Sequence, residues 1–194
     1  SGEANIIVGK DAGAAITTGS SNTAIGHQAL TANTTASYNV AVGYQAADAN
    51  TTGTSNIAVG TGSLGGNTTG SNNTVVGTNA SLVSTTAGQN TIIGREAGKA
   101  LTTGGVNTMV GDDAGKSATT GDKNTFIGQN AGYHVTTGAK NTILGRFDGN
   151  SHGFDMRASD YSTVISNGDG ELQGIFNGNG SMTLKLSRVT SDGY

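Results

Sequence analysis

The chain has 194 residues, of which 34% are hydrophobic, 5% are aromatic and 33 are glycine, so a conventional globular core is not expected. A net charge of −3, with 12% charged residues and no proline, differs from the highly charged, proline-rich composition typical of disorder. The same balance argues against a nucleic-acid-binding surface and against a basic membrane-binding patch. Because cysteine is absent and no apolar stretch approaches the roughly 20 residues that span a bilayer, neither disulfides nor membrane insertion is expected.

A repeat of 17 residues dominates the sequence. Asparagine recurs nine times at this spacing from Asn5 to Asn141, and glycine follows each asparagine four residues later. Between them lies a short apolar, β-branched stretch such as Thr125–Ile127, which is typical of a strand bounded by turns. The period predicts an all-β solenoid of nine coils over residues 1–146, with a β-rich segment over 147–194. The repeat residues include Asn22, Gly26, Asn39, Gly43, Asn56, Gly60, Asn73, Gly77, Asn90, Gly94, Asn107, Gly111, Asn124 and Gly128.

The two repeated residue types have different expected roles. The glycine after each strand is never replaced, which fits a corner with positive φ or a very close approach of two backbones. A second glycine, in a recurring Thr-Thr-Gly unit, is replaced by Ala36 and Ala87, so that position needs small volume rather than positive φ. The asparagine either occupies a left-handed corner or forms a ladder of stacked amides along the axis. All of these roles are structural.

Each predicted strand is apolar at both the second and the third position after its asparagine. Neighbouring residues of a strand point to opposite faces, so one of these columns faces outward and needs a cover. The third column, from Val8 to Leu144, is uniformly branched and favours the coil interior, whereas the second varies from alanine to phenylalanine and suits an axis of changing width. A parallel homotrimer packed through the second column is therefore expected. The predicted trimer-interface residues are Ala24, Ala41, Ala58, Val75, Ile92, Met109, Phe126 and Ile143.

The expected interior is narrow, because alanine or serine fills the seventh position of every coil from the first to the eighth. The eighth and eleventh positions then compensate each other in size, as in Gly98 with Leu101 or Leu64 with Asn67. Each such coil supplies about one large apolar side chain. Coil five, with the sequence Ser-Leu-Val-Ser at 81–84, does not follow this rule.

Three of the strand motifs resemble a known bacterial repeat. Asn22–Gly26, Asn39–Gly43 and Asn56–Gly60, each followed by alanine or serine three residues later, resemble the head repeats of trimeric autotransporter adhesins, which form a trimeric β-roll. The period here is longer than is usual in those heads, and neither a coiled-coil stalk nor a membrane anchor is recognisable in this sequence. A bacterial trimeric surface adhesin is therefore the alternative identity.

The longer unit, Asn-Thr-x-x-Gly-x-x-Ala followed by Thr-Thr-Gly, is more similar to the repeats of bacteriophage tail-fibre proteins and covers about residues 1–147. The segments Ser162–Gly170 and Ile175–Gly180 are similar to the β-rich segments that follow such repeats. The resemblance implies a homotrimeric fibre segment that projects a host-recognition tip. It also implies an extracellular location, on a virion tail fibre or a cell surface.

Few residues suggest catalysis or metal binding. Glu96 and Asp113 stack one coil apart and invite comparison with a cation site or a glycosidase pair, but the neighbouring arginine and lysines favour a solvated charge ladder. His27, His134 and His152 have no partner at ligand spacing, and no serine lies in a recognisable hydrolase motif. We therefore expect no enzyme activity, no cofactor and no metal.

Two kinds of surface recognition are open to such a rod. The Thr-Thr units form regular arrays, and a threonine array on a flat β face is a less favoured, ice-binding alternative. Host-surface polysaccharide is the other candidate ligand, because exposed tyrosines can stack on sugar rings and charged groups can bond hydroxyls. The candidate surface-binding residues on the coils are Tyr44, Arg95, Lys99, Lys116 and Tyr133.

Aromatic residues concentrate after the repeats, where five of the nine in the chain occur. This enrichment fits either a sugar-binding tip or the hydrophobic plug that covers the last coil of a solenoid, and the plug is favoured. Recognition, if this chain carries it, is expected in 147–194 rather than on the coils. The five aromatics are Phe147, Phe154, Tyr161, Phe176 and Tyr194.

Overall fold

The computed structural model describes residues 2–184, and within that range the chain forms strands and turns but no helix. Nine short strands come first, each beginning directly after a repeat asparagine: β1 (Ile6–Val8), β2 (Thr23–Ile25), β3 (Val40–Val42), β4 (Ile57–Val59), β5 (Thr74–Val76), β6 (Thr91–Ile93), β7 (Thr108–Val110), β8 (Thr125–Ile127) and β9 (Thr142–Leu144). Five more follow: β10 (Asn150–Ser151), β11 (Phe154–Asp155), β12 (Thr163–Ser166), β13 (Leu172–Phe176) and β14 (Met182–Leu184).

Strands β1 to β9 stack in one parallel sheet, and each residue pairs with the residue 17 positions later, as Thr23 does with Val40. The turns between strands run around the coil and return the chain one level further along the axis. This arrangement confirms the predicted all-β solenoid of nine coils. Coils are numbered here from their asparagines, so that coil one begins at Asn5 and coil nine at Asn141, and positions are counted from that asparagine.

The asparagines form an amide ladder along the axis. The backbone N–H of Asn39 donates to Oδ1 of Asn22 at 3.0 Å, and Nδ2 of Asn39 donates to the carbonyl of Gly53 at 2.9 Å. Buried amides require such partners, and from Asn22 onward these side chains are almost completely buried. The ladder interpretation is confirmed, whereas the left-handed corner lies one residue earlier, as at Ser21 with φ of 57°.

The glycine after each strand is required for two reasons at once. Its φ lies between 107° and 140° in all nine coils, a region that side-chain-bearing residues rarely adopt. A Cβ placed on Gly43 would also lie 2.6 Å from the carbonyl oxygen of Gly60 in the next coil. Both expectations for this glycine are therefore confirmed.

The predicted orientation of the two apolar columns is wrong. All eight residues predicted at a trimer interface, from Ala24 to Ile143, are 0% exposed within a single chain and form the coil interior. The uniformly branched third column stands outside, with Ile25 38% and Ile127 41% exposed. The physical reason is that the interior changes in width from coil to coil and so accepts residues of different size, while the outer face of the sheet is uniform.

Interior packing depends on the second and eighth positions together. A Cβ added to Gly115 would lie 2.5 Å from Sδ of Met109, and one added to Gly132 would lie 2.8 Å from the ring of Phe126. A large second residue therefore needs glycine at position eight. In coils two to four the order is reversed, because alanine at position two accompanies Leu30, Ala47 or Leu64 at position eight.

The same pairing accounts for coil five, which the predicted rule did not explain. There a medium-sized residue, Val75, accompanies the small Ser81, and both are buried. Coil five is thus the transition between the two ways of filling the coil.

The sheet continues past the predicted boundary at residue 146. Strand β12 pairs in parallel with β9, and the N–H of Ser162 donates to Oδ1 of Asn141 at 2.9 Å, so Ser162 takes the place of the next asparagine. The spacing from 141 to 162 is 21 residues instead of 17, and the hairpin of β10 and β11 lies within this longer coil. Strands β13 and β14 then add in antiparallel order and extend the sheet to the last described residue, Leu184.

The aromatic residues after the repeats differ in solvent exposure. Phe147 is 0% exposed and, with Met156, fills the interior at the end of the solenoid, as a plug would. Phe154 is half-buried beside Phe147, with ring centroids 6.0 Å apart. Tyr161 and Phe176 are exposed, and Tyr194 lies outside the described residues.

Candidate functional site: the outer strand face

One regular surface runs along the described coils on the outer side of the stacked strands, and it is called here the outer strand face. It consists of the first and third residues of β1 to β9 and of β12, because the second residue of each points inward. Its first column is Ile6, Thr23, Val40, Ile57, Thr74, Thr91, Thr108, Thr125, Thr142 and Thr163. Its third column is Val8, Ile25, Val42, Val59, Val76, Ile93, Val110, Ile127, Leu144 and Ile165.

This face is continuous and carries no charged residue. At a spacing of about 4.8 Å between parallel strands, the ten levels from β1 to β12 extend over about 43 Å. The apolar stripe then continues onto the antiparallel strands, where Phe176, Met182 and Leu184 are all exposed by 40% or more. Phe176 pairs with Thr163 across the β12–β13 ladder, so it lies on the same side of the sheet.

An uncharged β surface of this length is suited to packing rather than to solvation. Parallel sheets are normally covered on both faces, and contiguous exposed apolar patches of this kind mark interaction sites. The inner face of this sheet is already covered by the chain's own coil. The outer strand face is therefore the candidate interaction surface of the molecule.

The charged residues form a local network on coils six and seven. Arg95 Nε lies 2.9 Å from Oδ1 of Asp112, while Glu96 receives Nζ of Lys116 at 2.6 Å and Nζ of Lys99 at 2.9 Å. The hydrogen bonds from Lys116 and Lys99 lower the pKa of the Glu96 carboxyl to about 2. The charge-ladder interpretation is confirmed, and the predicted surface-binding residues Arg95, Lys99 and Lys116 are engaged in ion pairs within the chain.

The two tyrosines predicted for surface binding do not form one site. Tyr133 lies next to the charge network, with Nζ of Lys116 5.4 Å from its ring centroid. Tyr44 is in coil three, where its ring centroid is 5.5 Å from that of His27. The five candidate residues on the coils therefore belong to two separate regions of the rod.

The two threonines of each Thr-Thr pair have different environments. The first threonine of each pair donates its hydroxyl to the carbonyl of the equivalent residue in the next coil, as Thr51 does to Thr68 at 2.9 Å. This bond closes and stacks the coils. The second threonine is exposed in all eight coils that carry the pair. That column comprises Thr18, Thr35, Thr52, Thr69, Thr86, Thr103, Thr120 and Thr137.

The described residues bring no metal-binding group together. Across 2–184 there is no cluster of three or more histidine, aspartate or glutamate side chains arranged to hold an ion. His27 lies 3.7 Å from Oδ2 of Asp11, and the nearest polar contact of His152 is the neighbouring Ser151 hydroxyl at 3.0 Å. In the same range no helix has the length and apolarity to cross a membrane.

Sequence reasoning identified the strands but missed the residues of the outer strand face. The signal that identifies them is the inverse size relation between positions two and eight, which marks position two as interior. Comparisons of the chain with family models, curated proteins and solved structures find no match. The assignment of this surface therefore depends on the repeat and on its geometry alone.

Proposed function

We propose that this chain is a structural segment of a homotrimeric fibre, assembled through the outer strand face, that projects a recognition end towards a host surface. The observation that carries the proposal is the uncharged column of branched apolar residues from β1 to β12, which is exposed or half-buried on a single chain. The similarity of the repeat unit to bacteriophage tail fibres favours a virion component. A bacterial surface adhesin would use the same face for the same purpose.

Another copy of the chain is the partner that fits this face best. Its residues recur once per coil, so a matching partner needs the same spacing over the same length. A second parallel copy supplies that spacing and sets threonine against threonine and branched residue against branched residue. A partner cannot be drawn to this face by opposite charge, because the face carries no charged group.

Three copies explain the narrowness of the face. Each strand has only two residues that point outward, so the outer strand face is narrow. Three such narrow faces can cover one another around a common axis. The trimeric adhesin heads that the strand motifs resemble have this symmetry. The role is mechanical, and we propose no catalytic activity towards polysaccharide.

Two adjacent residues separate folding from assembly. Phe126 is buried in the coil and Ile127 is 41% exposed on the outer strand face. Light scattering on the intact chain is expected to give three times the chain mass, and I127K is expected to give a folded monomer. F126D is expected to prevent folding altogether, because an isolated buried carboxylate costs several kcal/mol.

Q129K, at an exposed turn residue of the same coil, is the control and should remain trimeric. A stable folded monomer of the unmodified chain would contradict the proposal.

A second function, ice binding, is favoured by one specific observation. The outer strand face pairs threonine with a branched residue in seven of its ten levels, which places hydroxyl and methyl groups in a regular, uncharged, two-column array. This function requires a free face, so it excludes assembly through the same residues. A monomer that inhibits ice growth, with the inhibition lost in I127K, would establish it instead of the fibre.

A further inference from the structure

The coil that departs from the 17-residue period also carries a cavity. Coil nine holds 21 residues from Asn141 to the level of Ser162, and the extra length accommodates the hairpin of β10 and β11. His152 and Gly153 form the two-residue turn of this hairpin, with φ of 53° and 76°, which is the conformation that such turns require. The insertion is therefore an ordered structure that projects from an otherwise uniform rod.

The hairpin forms one wall of the cavity, and the antiparallel strands β13 and β14 form the other. The volume is about 490 Å³, within the range of about 300–1,000 Å³ that is usual for small-molecule sites. The lining side chains used below are His152, Phe154, Leu172, Gln173, Ile175 and Thr183.

This cavity does not share a surface with the outer strand face. Ile175 and Thr183 are paired across β13 and β14 and line the cavity, whereas the next pair, Phe176 and Met182, points to the opposite side of the sheet. The stripe used for assembly and the cavity thus lie on opposite faces of the same two strands.

The cavity combines an apolar floor with a polar rim. Phe154, Leu172 and Ile175 supply aromatic and aliphatic surface, while Gln173, Thr183 and His152 supply an amide, a hydroxyl and an imidazole. A hexopyranose has the complementary surface, because one face presents C–H groups and its edge presents hydroxyls. No lysine or arginine is among the lining residues, and Glu171 lines the cavity as a carboxylate, so an anionic sugar finds no cation and one anion there.

We propose that this cavity binds a neutral hexopyranose unit of a surface polysaccharide, with the sugar's C–H face on Phe154 and its hydroxyls bonded by Gln173 and Thr183. The assignment rests on the proposed function, for which it supplies the recognition site. It places that site on the single inserted hairpin and the β13–β14 strands rather than on the nine repeated strands.

Saturation-transfer NMR on the intact 194-residue chain tests the assignment, with methyl glucopyranoside, methyl galactopyranoside and N-acetylglucosamine as probes at millimolar concentration. At least one probe is expected to receive saturation at its ring C–H protons. F154L keeps apolar bulk beside Phe147 but removes the ring, and should weaken binding at least tenfold. Q173A should weaken it several-fold, and Q129A, on a distant turn of coil eight, should leave it unchanged.

Thermal melting separates loss of binding from loss of folding in F154L, and Q173A provides the test if F154L does not fold. Absence of saturation transfer to all three probes, or binding that survives both substitutions, overturns the assignment. The outcome is independent of assembly: a trimer that binds no probe contradicts the cavity alone, and a monomer that binds a probe contradicts only the fibre.

Discussion

Coils two to four and coils six to eight share one backbone but fill it in opposite ways. In the first group the second position is always alanine, and coils two and four take their large residue, Leu30 or Leu64, from position eight, while coil three has alanine at both positions. In the second group the large residue, such as Met109 or Phe126, comes from position two, and position eight is glycine. The positive φ at position eight is retained in both groups, at 55° for Leu64 and 58° for Gly115. Backbone geometry is therefore set by the asparagine and glycine columns, and the packing is exchangeable as long as both positions change together.

The largest effect is expected when the buried leucine of coil four is removed. L64G should cost about 3–4 kcal/mol, because a buried leucine is replaced by a cavity next to an alanine that cannot fill it. Adding A58I converts the pair to the arrangement of coil six and should restore a large part of that stability. Denaturant unfolding of both variants measures the effect, and a double variant no better than L64G would show that the two positions do not act as a pair.

The reverse substitution overfills coil seven. G115L should cost about 2–3 kcal/mol, because the new side chain would start 2.5 Å from Sδ of Met109. The left-handed φ is not the obstacle, since Leu64 adopts it in coil four. M109A in the same chain should relieve the overlap, and differential scanning calorimetry should then show a melting temperature close to that of the unmodified chain. An unrelieved loss would instead assign the cost to the backbone.

A third test concerns the asparagine at position eleven, which is buried in coils two to four and has no polar counterpart in coils six to eight. Asn67 donates to the carbonyl of Gly70 and to Oδ1 of Asn50, both at 2.9 Å, whereas the same position in coils six to eight is apolar. N67A should cost about 1–2 kcal/mol, because it leaves the buried Oδ1 of Asn50 without this donor, whereas the carbonyl of Gly70 keeps a hydrogen bond from Nδ2 of Asn56. A118G, at the equivalent position of coil seven, removes only a methyl group and serves as the comparison in chemical denaturation.

The fourth test uses acid and is directed at Glu96, which lies in the second region. Its pKa is about 2 in the folded chain against an ordinary value of 4.5, so its contribution to stability is present above about pH 4.5 and is lost as the pH falls towards 2. Glu96 and the lysines that bind it lie near the surface, so their contribution to the free energy of unfolding is at most about 1 kcal/mol. Melting curves should fall more steeply over this pH range for the unmodified chain than for E96Q. Identical slopes would show that the network adds nothing to folding.

The smallest effect is expected on the rim of that network. Lys99 binds Glu96 at 2.9 Å, but Lys116 holds the same carboxylate from the other side. K99A should therefore change the free energy of unfolding by no more than about 0.5 kcal/mol. K116A, measured in parallel by urea unfolding, should have the larger effect because Lys116 also lies 3.3 Å from Asp113.

The repeat alone was sufficient to predict the solenoid and the strand positions, because both depend on residues that recur at one spacing. For the asparagine column it left two alternatives, an amide ladder and a left-handed corner. The orientation predicted for the two apolar columns was wrong, since both are apolar and alternation cannot distinguish them. The decisive signal lay elsewhere in the coil, in the inverse sizes of pairs such as Phe126 and Gly132.

The cavity beyond the repeats was missed for a different reason. Its walls come from a hairpin inside coil nine and from antiparallel strands, and neither feature shares the 17-residue pattern. The detectable trace in the sequence is that Ser162, 21 residues after Asn141, takes the asparagine's place. The spacing reveals an insertion, but its folding into a cavity wall depends on contacts with strands that follow it.

Stacking with a uniform period has a mechanical consequence. The hydrogen bonds between coils run along the rod, so tension applied to the two ends of a chain opens the coils one after another rather than together. Each coil that opens releases 17 residues, or about 60 Å of extended chain at about 3.5 Å per residue. A solenoid of this kind can lengthen in equal steps under load while the remaining coils stay folded. In the proposed fibre, this stepwise lengthening would limit the force that reaches the two ends.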